Sequence, residues 1–255
     1  MGVATIIFPS IFPLFVLLIL ICTSLVYWTK GRRIGFQLLY LTFLSICISY
    51  IILLNIPLFY THQAYVPFTD PIVQTVVTIF LFFIPLCQSK KQITICLLLP
   101  IFFCIYSIVI LQAPPISVVS GIIIGGFLVY TFYRTLDWIE GMPERLLLLF
   151  SIIFPLFLAI IIFPNIEHLF YPGILLGSAI GITVETLKVK VNNIPRSTTR
   201  MLFSVSLGTI GLIILYLMYM YTSSFIPMQE WISGLVIGIW VTLIVPYILS
   251  FLKNL

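Results

Sequence analysis

Long apolar stretches separated by short polar connections set the pattern of this chain. A helix needs about 20 apolar residues to cross the ~30 Å hydrocarbon core of a bilayer. By that ruler the pattern predicts nine spans, centred near Phe15, Ser45, Ile79, Phe102, Ile124, Phe154, Leu176, Ile210 and Ile239. The expected fold class is therefore all-α: a polytopic integral membrane helical bundle of about nine transmembrane helices.

The connections alternate in kind. Lys and Arg occur in "TKGRR", in "QSKK", between Arg134 and Arg145, between Lys188 and Arg200, and at Lys253. The intervening "YTHQAYVPFTDP", "LQAPPIS", "FPNIEH" and "SSFIPMQE" contain neither. Because short cationic loops stay in the cytoplasm, the alternation predicts an N-terminus outside and a C-terminus in the cytoplasm. The opening run has no basic leading region and no small-residue cleavage site, so it is expected to remain as the first span. Ile6 stands where a myristoylation signal wants Ser or Thr.

Composition agrees: 62% of the 255 residues are hydrophobic and 7% charged, too few to solvate a soluble domain of this length. The net charge of +5 is then a topology signal, helped by anionic lipid headgroups, and implies no nucleic-acid partner. Cys22, Cys47, Cys87, Cys96 and Cys104 lie in apolar runs without CxxC or Cys/His spacing, so neither disulfide nor metal is expected. Tyr27, Trp28, Tyr60, Tyr133, Trp138, Tyr171 and Trp231 gather at span ends, as an interfacial belt would.

Ionisable residues inside lipid are costly and mark function, and the spans are almost bare of them. The outer-end exceptions are His62, Asp70, Glu167, His168 and Glu230. Glu167 beside His168 has the residue types for acid/base work, or the pair is a hydrated loop. Asp70 before Pro71 reads as an N-cap with proline in the first turn. Gly173, Gly177 and Gly181 recur every four residues, as do Gly121 with Gly125 and Gly234 with Gly238. Such smooth faces permit close helix packing.

The series "YWTKGRRIGFQLLYLTFLSICISYIILL", "FTDPIVQTVVTIFLFF", "QSKKQI" and "SIVILQAPPISVVSGIIIGG" resembles successive landmarks of the type 2 phosphatidic acid phosphatase family, membrane lipid phosphatases that share a helical fold with vanadium haloperoxidases. "LFYPGILLGSAIGITVETLKVKV", "RMLFSVSLGTIGLIILYL" and "WISGLVIGIWVTLIVPYILSFL" are similar to the extra C-terminal spans of one bacterial branch. The resemblance implies a five-span phosphatase-like core over 1–134 and a four-span extension over 135–255.

The family's catalytic signatures are degenerate here. The third, SRxxLGVHxPSDxxGGxxxG, lays over Ser107 to Gly126 without a gap; Ser107, Leu111, Ser117, Gly121 and Gly126 coincide. Ile108 replaces the phosphate-gripping arginine, Pro114 the nucleophilic histidine and Val118 its orienting aspartate. The second, FPSGHAQ, lays over Phe68 to Gln74, with Ile72 at the acid histidine. The first, KxxxxxxRP, finds no Lys or Arg between Asn55 and Gln63.

Neither proline nor isoleucine can form a phosphoenzyme or neutralise a phosphoryl group. The expectation is a catalytically inactive relative with no cofactor or metal, a multi-pass protein of the bacterial plasma membrane that binds membrane lipids or another membrane protein. Two alternatives stay open: a phosphatase acting on phosphatidic acid or polyprenyl diphosphate through His62, Asp70, Glu167 and His168, and a carrier of lipid or small solutes, suggested by prolines such as Pro57 and Pro85.

Overall fold

The computed structural model describes residues 4–56, 59–61, 64–140, 144–163, 165–185, 198–222 and 228–251. They are helical almost throughout: α1 (Ala4–Thr29), α2 (Arg32–Asn55), α3 (Pro71–Phe83), α4 (Lys90–Val109), α5 (Pro115–Glu140), α6 (Glu144–Ile162), α7 (Phe170–Val184), α8 (Thr198–Thr222), α9 (Gln229–Ile239) and α10 (Val245–Phe251). A small antiparallel ribbon, β1 (Phe59–Thr61) with β2 (Ala64–Val66), joins α2 to α3 and pairs Tyr60 with Tyr65. A π turn over Trp240–Ile244 connects α9 to α10.

Among the described residues, six helical stretches are long and apolar enough to cross a membrane: Phe12–Thr29, Arg32–Asn55, Lys90–Val109, Pro115–Leu136, Ile166–Val184 and Gln229–Ile248. Three shorter apolar helices lie at Pro71–Leu86, Leu149–Ile162 and Val205–Tyr221. Two of these stretches lie in longer helices, α6 of 19 and α8 of 25 residues, whereas the 16 residues of Pro71–Leu86, at 1.5 Å each, fall short of ~30 Å.

The chain divides into two compact units, 1–16 with 44–141 and 17–43 with 142–255. The sequence division at 134/135 sets a five-span part against a four-span part, whereas these units are discontinuous in the chain. The difference is that 17–43, the facing halves of α1 and α2, belong with the C-terminal helices, for reasons visible in their side chains.

In the first unit α3 is the central element. Its first turn is fixed by Asp70, whose Oδ1 accepts from the amides of Ile72 (2.9 Å) and Val73 (3.3 Å), with Pro71 in the first turn. These bonds satisfy donors that a helix start leaves orphaned. Helix α5 crosses closely because Gly121 and Gly125 face α3: a Cβ on Gly125 would stand 2.7 Å from the carbonyl oxygen of Gln74. Helix α4 begins with a capping box in which Ser89 and Gln92 satisfy each other's backbone amides. Most of its apolar side chains, among them Phe102 and Ile105, are exposed on the outside of the unit.

In the second unit α7 and α9 pack backbone to backbone. A Cβ on Gly177 would lie 2.1 Å from the carbonyl oxygen of Leu235, and one on Gly234 2.1 Å from that of Phe170. The every-four glycine series is thus a packing seam, as its spacing predicts. Tyr27 and Trp28 are buried rather than interfacial. Trp28 donates its indole N–H to the carbonyl of Val241 at 3.1 Å, and the ring fills the space beside Gly208. Trp240 donates likewise to the carbonyl of Gly208 at 3.3 Å. These bonds bring 17–43 into the C-terminal unit.

Candidate functional site

In the first unit the start of α3, the end of α4 and the start of α5 meet. Ser107, near the end of α4, donates its hydroxyl to Asp70 Oδ2 at 2.6 Å. The Asp70 amide donates to the carbonyl of Ser117 at 3.1 Å. Ser117 and Ser120, in the first turns of α5, donate to the carbonyls of Pro67 and Phe68. Gln74, one turn into α3, accepts from Thr69 (2.9 Å) and donates to the carbonyl of Ser45 (2.9 Å), while Ser45 and Thr78 share a 3.0 Å hydroxyl contact.

The result is a buried polar cluster closed on itself. Asp70 is 2% exposed and surrounded by hydroxyl and amide donors. The groups that meet the Asp70 carboxylate are the amides of Ile72 and Val73 and the hydroxyl of Ser107, none of them a cation. Val118 and Ile72 are apolar packing. Val118 is buried with Val73, Val77 and Ala113, and Ile72 with Val76 and Leu111. Pro114 is half-buried and accepts from the Ser117 amide at 2.9 Å, whereas Ile108 is 40% exposed and takes no part in the cluster. Gln112, in the turn from α4 to α5, takes a left-handed conformation with φ 52°.

The other candidates are dispersed. His62 lies outside the described residues. Glu167, exposed, and His168, half-buried, occupy one 3-10 turn before α7. Glu230 accepts a hydrogen bond from the Tyr219 hydroxyl at 2.9 Å. Beside it a groove of about 200 Å³ runs between α8 and α9, lined by Leu215, Met218, Ile232 and Val236 with Gln229 and Ser233.

The sequence reading passed over Glu185. Glu185 ends α7 one residue beyond the span, its backbone amide donating to the carbonyls of Gly181 and Ile182, and it is fully buried. Its Oε2 lies 2.9 Å from the Tyr27 hydroxyl, which also lies 3.1 Å from the carbonyl of Thr242. Its Oε1 lies 3.1 Å from Nε of Arg32, which is 28% exposed, without the alignment of a hydrogen bond. Burial pushes the Glu185 carboxyl above the usual glutamate range, outweighing the Arg32 guanidinium and the Tyr27 hydroxyl that pull it down.

No protein-family model matches the chain, and neither a curated protein nor a solved structure matches it.

Proposed function

We propose that this protein is a catalytically inactive relative of the type 2 phosphatidic acid phosphatases: a nine-span protein of the bacterial plasma membrane, N-terminus outside, retained as a lipid-binding or partner-binding scaffold. The observation that carries this reading is Asp70. At the place where a phosphatase of this family would gather histidine, arginine and lysine, the one carboxylate is occupied by Ile72 N–H, Val73 N–H and Ser107 Oγ–H. Val118 and Ile72 seal the same region with hydrocarbon. A phosphoryl group brought here would meet a carboxylate and no cation, which repels rather than stabilises the transition state.

The groove between α8 and α9 supports the lipid-binding half of the reading. Its walls are mostly aliphatic, with Met218 and Tyr219, and Gln229 and Ser233 supply polar groups. That lining suits an acyl chain with a hydrogen-bonding head. The three shorter apolar helices coincide with the third, sixth and eighth spans of the nine-span topology.

Purified protein in vesicles of its own lipids tests both halves. It is expected to release no phosphate from phosphatidic acid or a polyprenyl diphosphate above empty vesicles, and to carry a stoichiometric lipid in native mass spectrometry. Turnover that disappears on replacing His62 and His168 would overturn the inactive reading in favour of the phosphatase alternative.

A second reading, a carrier of lipid or small solute, is favoured by one observation, the buried Glu185 beside a π turn, since buried carboxylates and broken helices recur in ion-coupled carriers. Proton-dependent uptake or lipid scrambling abolished by Glu185→Gln would establish it.

A further inference from the structure

Cys87 and Cys96 are nine positions apart, a spacing that matches no metal or redox motif, yet their sulfurs stand 3.8 Å apart. The fold produces the approach in a definite way. The chain leaves α3 through the 3-10 turn Ile84–Leu86, and Cys87 follows in an extended conformation with φ −74° and ψ 131°. Ser89 then restarts the helix as the cap of α4, and Cys96 lies two turns into it. The Cys87 amide donates to the carbonyl of Ile84 at 3.1 Å, closing the 3-10 turn, and the Gln88 amide donates to Gln92 Oε1 at 3.0 Å, holding the loop against the start of α4. Both thiols are half-buried, unlike Cys47, which is fully buried.

We infer that Cys87 and Cys96 form a dithiol that closes reversibly to an intramolecular disulfide, a modification site joining the connection after α3 to α4. The co-reactant is a low-molecular-weight disulfide. One cysteine loses its proton to water and its thiolate attacks a sulfur of the small disulfide, breaking that S–S bond, forming a mixed disulfide and releasing one small thiolate. The second cysteine, deprotonated in turn, attacks the protein sulfur of the mixed disulfide and expels the second small thiolate. Both leaving thiolates take up the protons released. The two protein sulfurs are oxidised by two electrons together, and one small disulfide becomes two small thiols.

Geometry makes the second step the favoured fate of the first. A resolving thiol already 3.8 Å away acts at an effective concentration far above that of any external thiol. Cys87 sits outside regular helix, so the closure from contact to bond is taken up by a loop residue and a rotamer rather than by breaking α4. Placed at the cationic end of these helices, beside Lys90 and Lys91, the pair would rest as thiols in a reducing cytoplasm and close when the small-thiol pool is oxidised.

The test uses the full chain in detergent micelles, with oxidised glutathione as the probe. After oxidation and alkylation with maleimide, the protein is expected to show two fewer reactive thiols. Digestion is expected to yield one linked species joining the Cys87 and Cys96 peptides, 2 hydrogens lighter than the reduced pair and cleaved by dithiothreitol. Cys87→Ser is expected to stop at a glutathione adduct on Cys96, and Cys104→Ser to leave the linkage intact. Five thiols still alkylated after oxidation, a linkage through Cys22, Cys47 or Cys104, or a disulfide between two chains would each overturn the inference, and the first measurement needs no variant to fold.

Discussion

Ser107 and Asp70 are 37 positions apart in sequence, and the serine hydroxyl donates to the aspartate at 2.6 Å with both side chains buried. The bond ties the end of α4 to the cap of α3. A carboxylate inside a helical protein must have its lone pairs occupied, and removing one donor leaves part of the desolvation cost uncompensated. Ser107→Ala is therefore expected to destabilise the protein by about 1.5–3 kcal/mol, the range for a hydrogen bond to a charged group. Thermal unfolding in detergent checks this, with Thr94→Ala as a control at an exposed hydroxyl bonded within α4.

The α7–α9 seam gives a second expectation. Gly177→Ala places a methyl carbon 2.1 Å from the Leu235 carbonyl oxygen, where neither backbone can yield without opening the seam. The same change at Gly126 meets only the far end of Leu81 at 3.6 Å, ordinary contact. Overpacking of a tight site costs typically about 1–3 kcal/mol and more where backbone must move, so Gly177→Ala is expected at or above the top of that range and Gly126→Ala near neutral. Unfolding midpoints of the two variants, compared in one detergent, decide it.

What the sequence revealed and what it hid follow from the same physics. Apolar runs and every-four glycines are periodic, local signals, and each of the nine expected centres, Phe15 to Ile239, falls in a helix. The Asp70 cap was legible because a cap is settled within four residues. Tyr27 and Trp28 were misread as an interfacial belt because their hydrogen-bond acceptors, Thr242 and Val241, are more than 200 positions away. Glu185 was hidden by its neighbours Lys188 and Lys190, which made "VETLKVKV" look like a loop. One signal was available: Glu185 continues the series Gly173, Gly177, Gly181, so it lies on the packing face of α7 rather than away from it. Cys87 and Cys96 gave no signal at all, since a loop's path decides whether two such thiols meet.

The Glu185 site sets a pH dependence. The Tyr27 hydroxyl has one proton for two neighbouring acceptors, Glu185 Oε2 and the Thr242 carbonyl. A proton on Glu185 completes the set, the carboxyl donating to the tyrosine oxygen and the tyrosine to the carbonyl. Since burial raises this carboxyl in the folded protein, the folded state holds the proton to higher pH than the unfolded chain. The contribution to stability is thus fully present below the ordinary glutamate value of about 4.3 and is lost as pH rises through the raised folded value. Unfolding midpoints measured upward from acid pH are expected to fall across that window, and Glu185→Gln, which cannot titrate, is expected to flatten the fall. An unchanged slope in the variant would assign the pH dependence to other groups.

An aspartate at Val118, the position that the proposed phosphatase kinship would give to an aspartate, tests how fully this region is core. Val118 is 2% exposed and packs on Val73, Val77 and Ala113, so an aspartate there would be buried among methyl groups, with Asp70 already the carboxylate of the neighbouring cluster. A second carboxylate in one desolvated region is disfavoured both by burial and by like-charge repulsion. Val118→Asp is expected to lower stability by about 3 kcal/mol or more, the scale for an uncompensated buried charge, and to restore no phosphate release. Val118→Ala separates the charge from the packing: it removes two methyl groups, for which about 1–2 kcal/mol is expected from lost burial and cavity formation. If Val118→Asp melts no lower than Val118→Ala, the site is hydrated and open, and the closed, self-satisfied cluster around Asp70 is not the state the protein adopts in a membrane.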